Sequence, residues 1–402
     1  MKDLPPVARF GGRVMTGLLD VTSDPAALDS RGVWAVVAGF EGRLTCARFR
    51  DIRDIRDIRP LPRRAAPATR WNGPGRAEWS TSLDRAAYTA GVRRIREHIA
   101  AGEVYQANLC RVLSAPVASD ADIEALADLL ASRHRAPYAG MIRLPEHGIE
   151  VASASPELFL RRTGRVIESG PIKGTGRTEA DLLEKDHAEN VMIVDLVRND
   201  LGRVCATGSV TVPGLCAVEK HPGLVHLVST VRGELRDGVG WADLLAAAFP
   251  PGSVTGAPKT SALRIIEALE TAPRGPYCGG VGWVDADRRT SELAVGIRTF
   301  WIDRAHGRLL FGTGAGITWG SDPDREWEET ELKAARLLAI ASRVEPGRTP
   351  ADQLPPGSDD GPRTPVSPTP GGPSRPPAPV CGAGRRRSAG APDPSRRTRT
   401  AG

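Results

Sequence analysis

SPELFLRRTGRVIESGPIKGTGRT (Ser155–Thr178), running on through EADLLEKDHAENVMIVDLVRND (Glu179–Asp200), decides how the rest of the chain is read. It opens with an isolated acid, Glu157, ahead of a strand-like LFLRR. It then places Lys173 between Pro171 and Gly174 in a turn, and sets Asp186 and Glu189 three residues apart in a helical pattern. A spacing of three puts two side chains on one helical face. A constrained lysine, a lone acid and an acidic helix face in so short a stretch point to chemistry rather than packing.

Upstream, residues 1–75 read as short strands and loops, with GVWAVVAGF (Gly32–Phe40) and GRLTCARF as strands joined through Glu41-Gly42. The repeat DIRDIRDIR (Asp51–Arg59) has a period of three, which matches neither strand nor helix and reads as a solvated insertion. A helix is expected over Thr81–Gly102, with Thr81 and Asp84 as a capping pair, Tyr88, Val92, Ile95 and Ile99 as its apolar stripe, and Gly102 closing it. EVYQANLCRVL, a strand carrying Gln106 and Asn108, follows; a helix over Asp122–His134 and strands MIRL and GIEVASAS then lead into the opening stretch.

Downstream, GSVTVPGLCAVEKHPGLVHLVSTVRGEL reads as three short strands turning at Pro213-Gly214 and Pro222-Gly223. A helix is expected over Trp241–Phe249. PPGSVTGAPKTSALRIIEALE is a Gly-rich loop entering a helix with Pro258 near its first turn. YCGGVGWVDA, TSELAVGIRTFWI and RLLFGTGAG read as strands, and Asp322 caps a last helix beginning at Pro323.

Length allows one large α/β or α+β unit or two to three domains, and 40% hydrophobic with 25% charged residues fits a soluble globular protein. The nine Arg and four Asp of 346–402 supply five of the six formal positive charges, so the remainder is near neutral and a nucleic-acid face is not indicated. That tail holds fourteen of the 34 prolines and no aromatic residue, and disorder is expected of it. The six cysteines form no CxxC pair, the N-terminus MKDLPPVARFGG has no apolar leader, and no run reaches the roughly 20 apolar residues of a membrane helix. Reduced thiols, a cytoplasmic location and no membrane partner are expected.

Each candidate residue has a structural reading beside the chemical one. Glu326 and Glu329, with Lys333 one turn on, form a solvated i,i+4 face or, with Asp186 and Glu189 on another helix, a set of hard oxygen ligands for Mg2+. Lys173 is an exposed turn lysine or a nucleophile whose amine burial leaves neutral. Glu157 is a surface acid at a strand start or a proton donor. His226, among apolar residues at strand spacing, is a buried structural histidine or a base. Arg298, inside the apolar AVGIRTF, needs an internal acid or an anionic ligand. GTGAGITWG (Gly312–Gly320) and GSVTGAPKTS (Gly252–Ser261) miss the dinucleotide and phosphate-loop patterns, yet both could turn backbone N–H groups to an anion, a carboxylate as readily as a phosphate.

SPELF, PIKGT, KDHAENVMIVDLVRND, HLVST, GSVTGAPK, YCGGVGW, ELAVGIRT, GTGAGIT and SDPDREWEETELK, in this order over about Ala86–Ala341, resemble the chorismate-utilising enzymes. These include component I of anthranilate and aminodeoxychorismate synthases and the isochorismate and salicylate synthases. The resemblance implies an α/β (α+β) unit of the anthranilate synthase component I type, an antiparallel β-sandwich core wrapped by helices with the site between the sheets. It implies a first segment (1–75) shorter than usual that packs on a chorismate-binding catalytic domain (76–345), ahead of the tail (346–402). LLDVTSDPAALDSRGVWAVVA stands where an LLxS effector stretch would be, without its serine.

The resemblance also implies roles. Mg2+ would be held by Glu189 and Glu329, with Asp186 and Glu326 beside them. Lys173, Glu157 and His226 are the catalytic candidates; Gln106, Thr255, Gly256, Tyr277, Arg298, Gly314, Gly316 and Lys333 are the substrate-binding ones. Isochorismate and salicylate synthases place lysine where Gln106 stands, and anthranilate synthases place alanine where Lys173 stands. Glutamine together with lysine is similar to the aminodeoxychorismate branch, which aminates chorismate at C4 on the way to 4-aminobenzoate. Ammonia would come from a separate glutamine amidotransferase subunit, because the chain carries no Gly-flanked nucleophilic cysteine with partners. The alternatives are 2-amination, as in anthranilate synthase component I, and a non-catalytic paralogue scaffolding a glutaminase.

Overall fold

The strand Val33–Ala38 is apolar throughout because it is covered on both faces: Val33, Ala35 and Val37 join one core with Phe10, Met15, Phe49 and Trp283, while Trp34 and Val36 join another with Trp241 and Leu244. The computed structural model in which it lies describes residues 4–54, 71–176, 178–182, 184–221 and 224–343, all within one compact unit, Met1–Gly357. The expected disordered tail, the DIR repeat from Ile55 onward and the expected Pro222-Gly223 turn fall outside the described residues.

Among the described residues every strand pairing is antiparallel, and the pairings form one continuous ladder. One half runs Gln106–Pro116, Arg308–Ile317, Thr299–Asp303, Ile149–Ser155, Tyr138–Leu144, Val7–Phe10. The other continues from Val7–Phe10 through Arg13–Thr22, Leu44–Asp54, Val33–Ala38, Gly280–Asp285, Thr290–Val295, Leu158–Thr163 and Val166–Gly170 to Leu224–Glu234, which pairs with both Ile172–Gly176 and Thr211–His221. Residues Ala8, Met15, Ala35, Ile142, Val151 and Val281, from both halves, share one inner core.

Among the described residues six α-helices wrap this ladder: α1 (Arg85–Ala100), α2 (Ile123–Arg133), α3 (Glu184–Gly202), α4 (Trp241–Ala248), α5 (Lys259–Leu269) and α6 (Pro323–Ala341). Leu126 and Leu130 of α2 and Leu337 and Ile340 of α6 pack with Met141, Phe300 and Phe311 on the first half. Ile193 and Val197 of α3 and Trp241 and Leu244 of α4 pack with Phe159, Ile167 and Val231 on the second. The antiparallel core and helical wrapping are those that the resemblance implies.

Two short crossings between the halves lie side by side, at Pro156-Glu157 and at Gly296–Arg298. Ser155 Oγ donates to the Val295 carbonyl (2.6 Å), Val295 N–H to the Glu157 carbonyl (3.0 Å) and Ala154 N–H to the Arg298 carbonyl (3.0 Å), so the two crossings are stitched together. The fold thus delivers Glu157 and Arg298 to one place from positions far apart in sequence.

Four local expectations are corrected. Asp84, not Thr81, caps α1, accepting from Ala87 N–H at 2.8 Å, while the Thr81 hydroxyl donates to the Leu83 carbonyl. The DIR repeat begins inside a strand, with Ile52 opposite Met15, because an alternating partner strand accepts Ile at that register. Pro213-Gly214 is an irregularity within one long strand, Thr211–His221, since a bulge absorbs a proline without ending the pairing. TSELAVGIRTFWI breaks at Gly296–Arg298, where the chain changes halves.

Candidate functional site

Between the crossings and helices α3 and α6 lies a cavity of about 590 Å³. Of the expected site residues, Glu157, Lys173, Asp186, Glu189, His226, Tyr277, Arg298, Gly314, Gly316, Glu326, Glu329 and Lys333 line it. Gln106, Thr255 and Gly256 do not. Gln106 is fully buried behind Gly316, where an added Cβ would come 2.2 Å from its Nε2. The Thr255 hydroxyl is spent on the Pro251 and Gly252 carbonyls (3.1 and 3.2 Å), and Gly256 is paired with Ala107. The backbone of the GSVTGAPK loop is likewise committed: the Thr255 and Ala257 carbonyls accept from Asn108 and Tyr105 N–H, and Thr255 N–H donates to Gly252.

Glu157 is buried at the first crossing. Burial pushes its carboxyl up to about 7, against the opposing pull of the Ser253 hydroxyl, the Lys173 amine, the Ile172 N–H and Arg298. Lys173 lies not in the expected turn but on the strand Ile172–Gly176, opposite Leu227, because pairing to Leu224–Glu234 continues through an irregularity after it. Its Nζ is 3.4 Å from the Ser253 carbonyl and 4.0 Å from a Glu189 carboxylate oxygen. Arg298 holds φ +53, a conformation L-residues seldom take, and burial lowers its pKa while Glu157 raises it. Backbone outliers of this kind cluster at active sites and ligand clamps. His226 is buried on Leu224–Glu234, opposite Thr175.

The acidic end of the cavity is shared by α3 and α6. Burial raises the Glu189 carboxyl; Lys173 and Lys185 oppose this, and Asp186 and Glu329 add to it. Burial also raises Glu326, where the Ser321 hydroxyl opposes and Glu329 reinforces the shift. At Glu329 burial is outweighed by Lys333, whose Nζ sits 2.6 Å from Glu329 Oε1 and 3.0 Å from the Gly314 carbonyl, so this carboxyl falls below its usual range. Among the described residues no three His, Cys, Asp or Glu side chains converge as a ready metal cluster. The donor chemistry nevertheless fits Mg2+: four carboxylates from two helices face one cavity, and burial together with the lesser mutual repulsion that raises Glu189 and Glu326 is what a hard divalent cation would offset.

The Tyr277 ring is pressed flat against Gly312, and its hydroxyl lies against the Cys110 thiol rather than open to a ligand. A Cβ at Gly312 would fall 2.1 Å from the ring. Gly312→Ala should therefore destabilise the protein by about 1–3 kcal/mol in urea titration; a change under about 0.5 kcal/mol would mean the ring moves aside freely.

Sequence reasoning missed Ser253, Lys185, His134 and Arg336, which also line the cavity. Arg336 extends the series Glu326, Glu329, Lys333 at helical spacing and was legible on that pattern. Lys185 adjoins Asp186 in the motif already quoted. His134, just past α2, has a ring pushed down to about 4 by burial and by Arg298 and Arg336; nothing in its sequence neighbourhood signals this.

The chorismate binding enzyme family matches residues 44–339. The chain is 40% identical over 288 residues to anthranilate synthase component 1 1 of Haloarcula marismortui, covering 67% of this chain and 57% of that protein. It is 38% identical over 272 residues to aminodeoxychorismate synthase component 1 of Salmonella typhimurium, covering 65% and 58%. The chain thus spans little more than half the length of these curated relatives. Anthranilate synthase component I of Streptococcus pneumoniae superposes with a TM-score of 0.67 at 22% identity, over 84% of this chain and 93% of that one. A menaquinone-specific isochorismate synthase of Escherichia coli gives 0.69 at 20%, over 84% and 89%. At such identities these structures bear on the fold alone.

Proposed function

The chain belongs to the chorismate binding enzymes, and from that premise we propose that it converts chorismate and ammonia to 4-amino-4-deoxychorismate, the precursor of 4-aminobenzoate. Relatives of the two amination types match at similar identity, so overall likeness does not choose between them. The observation that carries the choice is the Lys173 amine, in the wall of the same cavity as a buried Glu157 whose carboxyl sits near neutrality.

In this reading Lys173 bonds to ring C2, the ring double bonds shift and the C4–O bond breaks, while Glu157 delivers its proton so that water departs. Ammonia then bonds at C4, the C2–N bond breaks, and Lys173 is returned. Covalent catalysis replaces one poor displacement by two easier ones. Arg298, half-buried at the second crossing, answers a carboxylate of the substrate directly. Glu189 and Glu329, with Asp186 and Glu326 beside them, would hold Mg2+, which supplies charge neutralisation for another carboxylate. Ammonia would come from a separate glutamine amidotransferase subunit, and a high concentration of ammonium should replace it.

Chromatographic identification of the product from chorismate, Mg2+ and ammonium tests the reading. 4-Amino-4-deoxychorismate supports it; fluorescent anthranilate would move the chain to 2-amination, and absence of turnover would leave a glutaminase scaffold. EDTA should abolish turnover and Mg2+ restore it. Turnover that persists in EDTA would strip the four carboxylates of their metal role.

A further inference from the structure

Ser253 touches both partners of the proposed chemistry. Its carbonyl lies 3.4 Å from Lys173 Nζ, and its hydroxyl donates to the Glu157 carboxyl. It is buried in the short turn Gly252–Val254, which is held rigidly from outside: Arg274 Nη1 donates to the Val254 carbonyl at 2.8 Å, the Thr255 hydroxyl donates to Pro251 and Gly252, and Gly252 is packed against Leu196. The same Ser253 carbonyl accepts from Asn108 Nδ2 at 3.5 Å, and Asn108 Oδ1 accepts from Gln106 Nε2 at 3.4 Å.

We propose that Ser253 is a positioning residue that fixes the acid of Glu157 and the amine of Lys173 relative to each other, with Asn108 and Gln106 as its backing. The inference rests on the functional reading above, in which attack and proton delivery serve two carbons of one ring in a single step. The acid comes from the crossing at Pro156-Glu157 and the amine from the strand Ile172–Gly176, so a rigid element that bonds both fixes a geometry neither segment fixes alone. The relay also gives Gln106 a role from behind the wall: it acts on the site through Asn108 and the Ser253 carbonyl without reaching the cavity.

The charged groups facing Glu157 are Lys173 and Arg298, with the Asp200–Lys259 pair (2.7 Å) beyond a small void behind it and His226 elsewhere in the cavity wall. Removing the hydroxyl leaves these in place and deletes one donor to the ionised carboxyl, which favours the protonated form.

The test compares Ser253→Ala and Ser253→Thr in the full-length protein, by kcat and KM for chorismate at saturating Mg2+ and ammonium and by infrared titration of the Glu157 carboxyl, with Glu157→Gln as the subtraction control. Ser253→Ala should lower kcat roughly 10- to 100-fold with KM little changed, and move the carboxyl midpoint upward by about one pH unit. Ser253→Thr, which keeps the hydroxyl, should restore both. Wild-type kcat in Ser253→Ala, or a lost rate with an unmoved midpoint, would overturn the proposal. The infrared midpoint needs no turnover, so it stands or falls whichever product, if any, the protein makes.

Discussion

Lys173→Ala should remove amination of chorismate at C4, by on the order of 10³-fold or more, since deleting the nucleophile of a covalent enzyme costs up to about 10⁶ in kcat. The fold should survive, because Ile172–Gly176 is held by backbone pairing to Leu224–Glu234, with Lys173 opposite Leu227, and not by the side chain. The side chain's ion-pair distance to Glu189 is 4.0 Å, too long for much stabilisation, and its loss leaves a cavity open to water rather than a void in the core. Lys173→Arg separates charge from nucleophilicity: a guanidinium keeps the positive charge but cannot serve as a neutral amine. Both variants should be inactive with unchanged circular dichroism and nearly unchanged melting. Activity retained in Lys173→Arg would reduce Lys173 to an electrostatic role, and activity retained in Lys173→Ala would end the covalent mechanism.

What could be read from the sequence follows from where local chemistry governs geometry. The stripe Tyr88, Val92, Ile95 sits on one face of α1 as its spacing requires, and Asp322 caps α6 through Arg325 N–H. Glu326, Glu329 and Lys333 share a face because a helix leaves them no choice. The break at Arg298 could not be read, because apolar residues flank it on both sides, AVGI before and FWI after, and the positive φ falls on a residue other than glycine. The same holds for Gln106 and Thr255. Both stand one or two residues from groups that matter, but the facing of Gln106 is set by pairing to Ala257 and that of Thr255 by a turn whose hydrogen bonds no sequence pattern displays. Ser253 was hidden among glycines that drew the attention of a phosphate-loop reading, although the residue bonding acid and amine is the serine.

Glu157→Gln should change activity and stability in opposite directions. As a general acid Glu157 must carry its proton, and with its carboxyl near 7 the wild-type rate should fall through an alkaline limb close to that pH. Glutamine cannot deliver a proton, so the variant should lose roughly 10²- to 10⁴-fold in rate and the residual activity should lack that limb. Stability follows from the same shift. The folded carboxyl titrates near 7 and an exposed glutamate near 4.5, so the folded state holds a proton the unfolded chain has released, and the stability this contributes is complete below 4.5 and lost as pH rises through 7. Glutamine stays neutral and can still accept from the Ser253 hydroxyl and the Ile172 N–H, so at pH 8 to 9 the variant should be the more stable protein, by up to about 3 kcal/mol at 1.36 kcal/mol per pH unit. Below about pH 4.5 the two should melt alike. Urea titrations at both ends of this range, set beside the rate profiles, separate the two effects. A variant destabilised at high pH would show that the carboxylate is satisfied where it lies, and a limb that persists in Glu157→Gln would belong to some other group.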